Sequence, residues 1–239
     1  MRSNASIDNP CPIMDENNLV TRRYHTLVVL GMVLPFLIVP FLSLVFFEKG
    51  QSFTYLFVVS RFIIWATLGL MMLYARYGEV QKFILWGEEE YGFLFYLQWI
   101  IALCLLCFAA QIISAIPYLA GLHEKSPSMQ KMQVLMKQFP VFGMFTALTA
   151  GITEELFFRG YLMSRLSLFF KNPHHQVLIS AGLFCAIHIS YHYTGEIIFT
   201  FLLGLIFGYH YQRFRNIKVL IIVHFIVDAV ATIVAMHHK

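Results

Sequence analysis

Charge is what this sequence has least of. Only 13% of its 239 residues are Asp, Glu, Lys or Arg, where soluble domains carry about a quarter. A chain so poor in charge, 59% hydrophobic and with a mean hydropathy of +0.68, is not a water-soluble domain. The expected class is all-α, a polytopic transmembrane helix bundle of about seven to eight spans, integral to a lipid bilayer. The formal net charge of +4 does not indicate nucleic acid, because the lysines and arginines gather in short loops as a membrane topology requires. Cysteine is scarce too. Cys11, Cys104, Cys107 and Cys185 make no disulfide framework. Cys104 and Cys107 form a C-x-x-C inside an apolar run, which reads as small packing residues. There is no visible internal repeat of the kind many secondary transporters show, and no H-E-x-x-H helix, so spacing alone implies no metal site.

What is present falls into three stretches: a polar N-terminal tail over 1–24, N-terminal transmembrane helices and connectors over 25–138, and a helix core with the polar motifs over 139–239. Apolar runs long enough for a hydrocarbon core of about 30 Å are read at 25–47, 53–74, 91–119, 139–162, 176–192, 197–211 and 219–236. Pro35 and Pro40 should kink the first, and Arg61 in the second is expected to snorkel to the interface. Residues 77–90 and 121–138 read as polar connectors, the first ending in a solvated Glu88-Glu89-Glu90, the second lying on the membrane surface. With the N-terminus on the cytoplasmic side, eleven Lys and Arg fall inside and five outside, as the positive-inside rule requires.

The core opens with LTAGITEELFFRGY over 148–161, which puts Glu154, Glu155 and Arg159 in an apolar setting. At mid-membrane each such charge costs roughly 2.5–3.5 kcal/mol, so they must pair or do chemistry. Glu155 and Arg159 are four apart and share a helix face, while Glu154 is turned about 100° away. The helix can therefore present one neutralised carboxylate and one available one. The next run places Phe184 four residues before His188, and the last places His224 four before Asp228. Counted at about 1.5 Å per residue, Glu154 and His224 reach similar depths, with His188 somewhat deeper. Between them Gly204 and Gly208 form a G-x-x-x-G, which allows close helix approach. Buried Glu, Arg, His and Asp also suit a proton-coupled transporter, and a non-proteolytic scaffold or immunity protein could retain the same motifs.

The ordered set Glu154-Glu155-x-x-x-Arg159, Phe184-x-x-x-His188 and His224-x-x-x-Asp228, with GLIFGYHYQRFRN before the last motif, resembles the CAAX-protease and bacteriocin-processing family, also called Abi. The resemblance covers about 139–231. It implies an intramembrane endopeptidase that hydrolyses a peptide bond of a membrane-associated protein or peptide. By that resemblance Glu154 would act as general base and share a water with His188. His224 would stabilise the oxyanion with Asp228 orienting it, and Glu155 with Arg159 would lock the helix end. Asp228 stands where the prenyl-protein enzyme of the family has Asn. The family is often labelled metalloprotease. If a zinc ion were bound, Glu154, His188 and His224 could supply three ligands; a metal-free glutamate mechanism fits the resemblance equally well.

Overall fold

Lipid offers the backbone no hydrogen-bond partners, so apolar runs of this length must bond to themselves, and they do so as helices. The computed structural model describes residues 16–47, 50–122 and 127–237, and every regular element among them is helical. In chain order these are α1 (Glu16–Phe46), α2 (Phe53–Leu73), α3 (Phe93–Ser114), the short α4 (Ile116–Leu119), α5 (Pro127–Gln138), α6 (Pro140–Glu155), α7 (Ser164–Phe169), α8 (Pro173–His188), α9 (Thr194–Phe214) and α10 (Ile217–His237). Two stretches wind wider, as π-helix: Tyr74–Gly78 extends α2, and Leu156–Met163 joins α6 to α7 as one continuous rod. Local sequence sets several of the starts. Ser52 accepts from the Tyr55 amide at 3.2 Å, and Asn172 from the His174 amide at 2.9 Å with Pro173 in the first turn of α8.

Five helices among the described residues are long and apolar enough to cross a membrane: Thr21–Phe46, Phe53–Gly78, Phe93–Leu119, Pro140–Phe169 and Ile217–His237. The expected spans at 176–192 and 197–211 are not among them. α8 has 16 residues, about 24 Å at 1.5 Å per residue, short of a hydrocarbon core of about 30 Å. α9 has the length but carries Glu196, His210, Gln212 and Arg213. These two helices lie against each other. A Cβ on Gly204 would stand 2.9 Å from Ala181, and one on Gly208 2.8 Å from Val177, so the G-x-x-x-G is the seam along which α9 meets α8.

Other expectations shift in detail. The polar tail expected over 1–24 gives way to helix from Glu16, so its last residues belong to α1; residues 1–15, with Cys11, lie outside those described. Lys49, Lys125 and Lys239 of the charge count also lie outside them. α1 runs unbroken through Pro35 and Pro40. Arg61 folds back along its own helix, with Nε and Nη2 each 3.3 Å from Ser60 Oγ and its guanidinium 5.1 Å from the Phe57 ring centre. In the second connector α5 presents Leu135 and Met136 inward, both buried. The first connector is not a surface segment throughout, since Glu79 is buried at 3% exposure.

The core is built from Phe158, Leu162, Phe184, Leu203, Phe207, Leu220 and Val223, drawn from α6 to α10, with Leu103 and Cys107 of α3 closing it. Small residues bring α6 and α10 unusually near. A Cβ on Gly151 would meet the Ile221 carbonyl oxygen at 3.1 Å and the Phe225 nitrogen at 3.2 Å. That approach puts the glutamate-bearing end of α6 within side-chain reach of the middle of α10.

Candidate functional site

Consecutive residues on a helix point about 100° apart, and the two glutamates that close α6 meet different surroundings. The Glu155 side chain is 0% exposed and that of Glu154 is 21% exposed, so only Glu154 can meet a substrate. Glu155 Oε1 accepts from two sides: from Arg159 Nη1 at 2.8 Å, one turn further on, and from His224 Nδ1 of α10 at 2.7 Å. Arg159 is fully buried. Its Nη2 lies 3.4 Å from the Gly204 carbonyl, and its guanidinium sits 4.9 Å and 5.4 Å from the ring centres of Phe184 and Phe207. Satisfaction is incomplete, for Glu155 Oε2 and Arg159 Nε have no hydrogen-bond partner. A buried pair of this kind costs desolvation that its attraction barely offsets, which argues for a purpose other than stability. The rod turns into π-helix directly after Glu155, and such wider turns occur frequently at functional sites.

Hydrogen-bond chemistry assigns the imidazole protons. A carboxylate and a carbonyl only accept. His224 therefore carries hydrogen on Nδ1, facing Glu155, and its Nε2 lies 3.8 Å from Glu154 Oε2 and 3.7 Å from Asp228 Oδ2. His188, the last residue of α8, contacts the Phe184 carbonyl through Nδ1 at 2.8 Å. Its neutral form is thus also protonated at Nδ1, with Nε2 as acceptor. His224, Glu154, Glu196 and His188 all lie within electrostatic range of Asp228.

The structure thus brings Glu154, Glu155, Arg159, His224 and Asp228 together directly and places His188 within electrostatic range of Asp228. Phe184 and Gly204 shape the surroundings of Arg159, while Gly208 packs on Val177 of α8. The two nitrogens of His224 face different carboxylates. The partner on His224 Nδ1 is Glu155, and Asp228 lies on the Nε2 side. In a straight helix i,i+4 neighbours meet by default, but here α10 packs so closely on α6 that Glu155 reaches the ring first. Among the described residues, no group of three or more His, Cys, Asp or Glu is disposed to hold a metal ion. Glu154, His188 and His224 are thus not gathered about one point as three metal ligands would be.

Glu196 in the first turn of α9 was not singled out in the sequence, yet it interacts electrostatically with both His188 and Glu154. Its signal was available: it is the acidic residue that spoils an otherwise apolar run. Glu79 and Arg165 form a second fully buried ion pair, at 2.5 Å. They are 86 residues apart, and no spacing rule links them.

Residues 136–230 match the family model described as type II CAAX prenyl endopeptidase Rce1-like. The matched segment contains all three polar motifs and agrees with the resemblance read from them. No curated protein and no solved structure matches the chain.

Proposed function

We propose that this chain, whose residues 136–230 match the type II CAAX prenyl endopeptidase Rce1-like family, is an intramembrane endopeptidase in which Glu154 and His188 activate water and His224 stabilises the oxyanion. The observation that carries this reading is the 2.7 Å bond between His224 Nδ1 and Glu155 Oε1, which turns Nε2 toward Glu154 and Asp228.

The chemistry follows from the proton assignments. A water held between Glu154 and the acceptor Nε2 of His188 gives a proton to Glu154 as its oxygen forms a bond to the scissile carbonyl carbon. The carbonyl oxygen becomes an oxyanion and accepts a hydrogen bond from His224 Nε2 when that ring is protonated. Glu155 holds the other nitrogen at 2.7 Å, and Arg159 holds Glu155 at 2.8 Å, so the ring is fixed with Nε2 toward the substrate side. The proton on Glu154 then passes to the amide nitrogen as the C–N bond breaks, giving a carboxylic acid and an amine. Asp228, with a side chain 33% exposed, lies at the accessible side, where it can steady the His224 imidazolium or meet the substrate backbone.

The test is hydrolysis of a farnesylated peptide ending in a CAAX sequence by the purified protein in liposomes, beside its Glu154→Gln variant. Cleavage by the parent protein and none by the variant supports the reading; a parent protein that leaves the peptide intact overturns it and favours a non-proteolytic role. In the same assay a zinc chelator is expected to leave the rate unchanged, since no three of these side chains are gathered as a metal site; inhibition reversed by added zinc would contradict that.

Gly151 supplies a further expectation. Its hypothetical Cβ meets backbone of α10 at 3.1 and 3.2 Å, and backbone yields less readily than a side-chain tip. Gly151→Val should push α10 outward and lengthen the Glu155–His224 bond, lowering kcat by about 10²-fold, the scale of a misplacement of about 1 Å. Gly151→Ala should fall between. A valine variant with normal turnover would show that the helix approach is not needed for the chemistry.

A further inference from the structure

The segment 79–92 between the π-helical end of α2 and the start of α3 has no helix or strand of its own. Irregular connections of this length are uncommon in a compact fold without a role. Each end of this one is fastened to a different helix of the candidate site. At its beginning the Glu79 carboxylate takes Arg165 Nε at 2.9 Å and Nη2 at 2.5 Å on one oxygen, and the Tyr161 hydroxyl on the other. Arg165 also donates to the Phe83 carbonyl at 2.6 Å and the Lys82 carbonyl at 3.0 Å. Both charged side chains are 0% exposed. Tyr161 and Arg165 belong to the rod that carries Glu154 and Glu155.

Further along, the Glu88 carboxylate accepts from the Tyr211 hydroxyl at 2.6 Å and from the Ile217 amide at 2.7 Å. Glu89 adds two bonds, its amide donating to the Arg215 carbonyl at 2.9 Å and its carbonyl accepting from Asn216 Nδ2 at 2.8 Å. These partners form the corner between α9 and α10, two turns before His224. In the middle, Trp86 Nε1 donates to Ser167 Oγ at 3.2 Å, and the Arg215 guanidinium lies 3.1 Å over the Trp86 ring centre. One residue thus touches both helices. Val80, beside Glu79, sits at φ 56°, a left-handed conformation that a β-branched residue adopts only under constraint. The bonds of Glu79 supply that constraint.

We propose that segment 79–91 is a positioning brace: by holding Arg165 at Glu79 and the α9–α10 corner at Glu88, it sets the spacing of Glu154 and Glu155 against His224. The proposal rests on the endopeptidase reading for its kinetic consequence but not for its geometric one. No brace residue touches the reacting atoms; each acts through the helix it holds. A catalytic pair spanning two helices needs its separation fixed to a fraction of an ångström. The glycine contact at Gly151 sets closest approach, and the brace sets the relative register of the two helices.

The test uses Glu88→Ala, which releases the corner at an exposed residue, with Glu79→Gln as the companion. Cysteine-directed spin labels at Leu168 and Lys218, on a background with the four native cysteines replaced, report the separation of the two helix ends in liposomes. The brace predicts a shifted or broadened distance distribution in Glu88→Ala, and kcat at least tenfold lower with KM within twofold of the parent. A residue that merely adds stability would lower the melting temperature without either change. An unaltered distance distribution overturns the proposal, as does unaltered kcat beside an active parent. If the parent hydrolyses no peptide, the endopeptidase reading fails while the distance measurement still decides on the brace.

Discussion

Glu154→Gln should lower peptide hydrolysis by about 10²–10⁴-fold, the range a positioned general base contributes, while the protein folds and inserts as before. Glu154 is the accessible carboxylate of the pair, and its side chain stands 3.8 Å from His224 Nε2 rather than in a tight ion pair. Gln has the same shape, so the variant removes the proton acceptor and little else. The measurement is single-turnover cleavage of a lipidated peptide at saturating enzyme, which separates chemistry from binding. The melting temperature in detergent serves as the folding control. If the variant keeps most of its turnover, the base is another carboxylate of the constellation, and Asp228 and Glu196, which unlike Glu155 are not locked to Arg159, become the residues to replace next.

Arg159→Met should behave differently, with stability falling by about 3–5 kcal/mol, the cost of removing one member of a buried pair. The Glu155 carboxylate is 0% exposed and would lose the 2.8 Å bond that neutralises it. The rings of Phe184 and Phe207 would lose the cation between them. Activity should be lost as well, because Glu155 would no longer be held by Arg159 in place against His224 Nδ1. A companion double variant, Arg159→Met with Glu155→Leu, separates the two consequences. It leaves no stranded charge and should recover much of the stability, since apolar replacements of buried pairs are often neutral or better. It should stay inactive, having removed the acceptor on His224 Nδ1. Unfolding in detergent with a graded denaturant reads the first effect and peptide cleavage the second. A single variant that unfolds like the parent would mean the buried pair has a substitute partner for Glu155.

These variants separate what is legible locally from what is not. The Glu155–Arg159 pair could be read from the chain because four residues make about one helical turn, whatever the helix packs against. A close helix approach at Gly204 and Gly208 could be read as well, since glycines four apart on an apolar helix have few other uses, though not that α8 would be the partner. The number of spans could not be read as reliably. α8 and α9 pack on each other along the glycine seam yet leave Leu178, Ile187 and Tyr209 exposed, and a helix buried in protein has much the same composition as one buried in lipid. Only length and the residues at the ends tell the two apart. Glu88 read as a solvated loop residue because its neighbours are acidic, yet its oxygens are taken by Tyr211 and the Ile217 amide from a distant corner.

By itself, then, the sequence determined that the chain is helical and membrane-type, that its polar residues form three short motifs, and which partners lie within one turn of each other. Composition and periodicity carry that information, and both act over a few residues. Tertiary structure alone decided that His224 donates to Glu155, 69 residues away, rather than to Asp228 one turn along. It also decided that Glu79 pairs with Arg165, and that Glu196 comes within electrostatic range of His188 and Glu154. Those pairings depend on where helices cross and how near they come, which small residues such as Gly151 permit but no local pattern specifies.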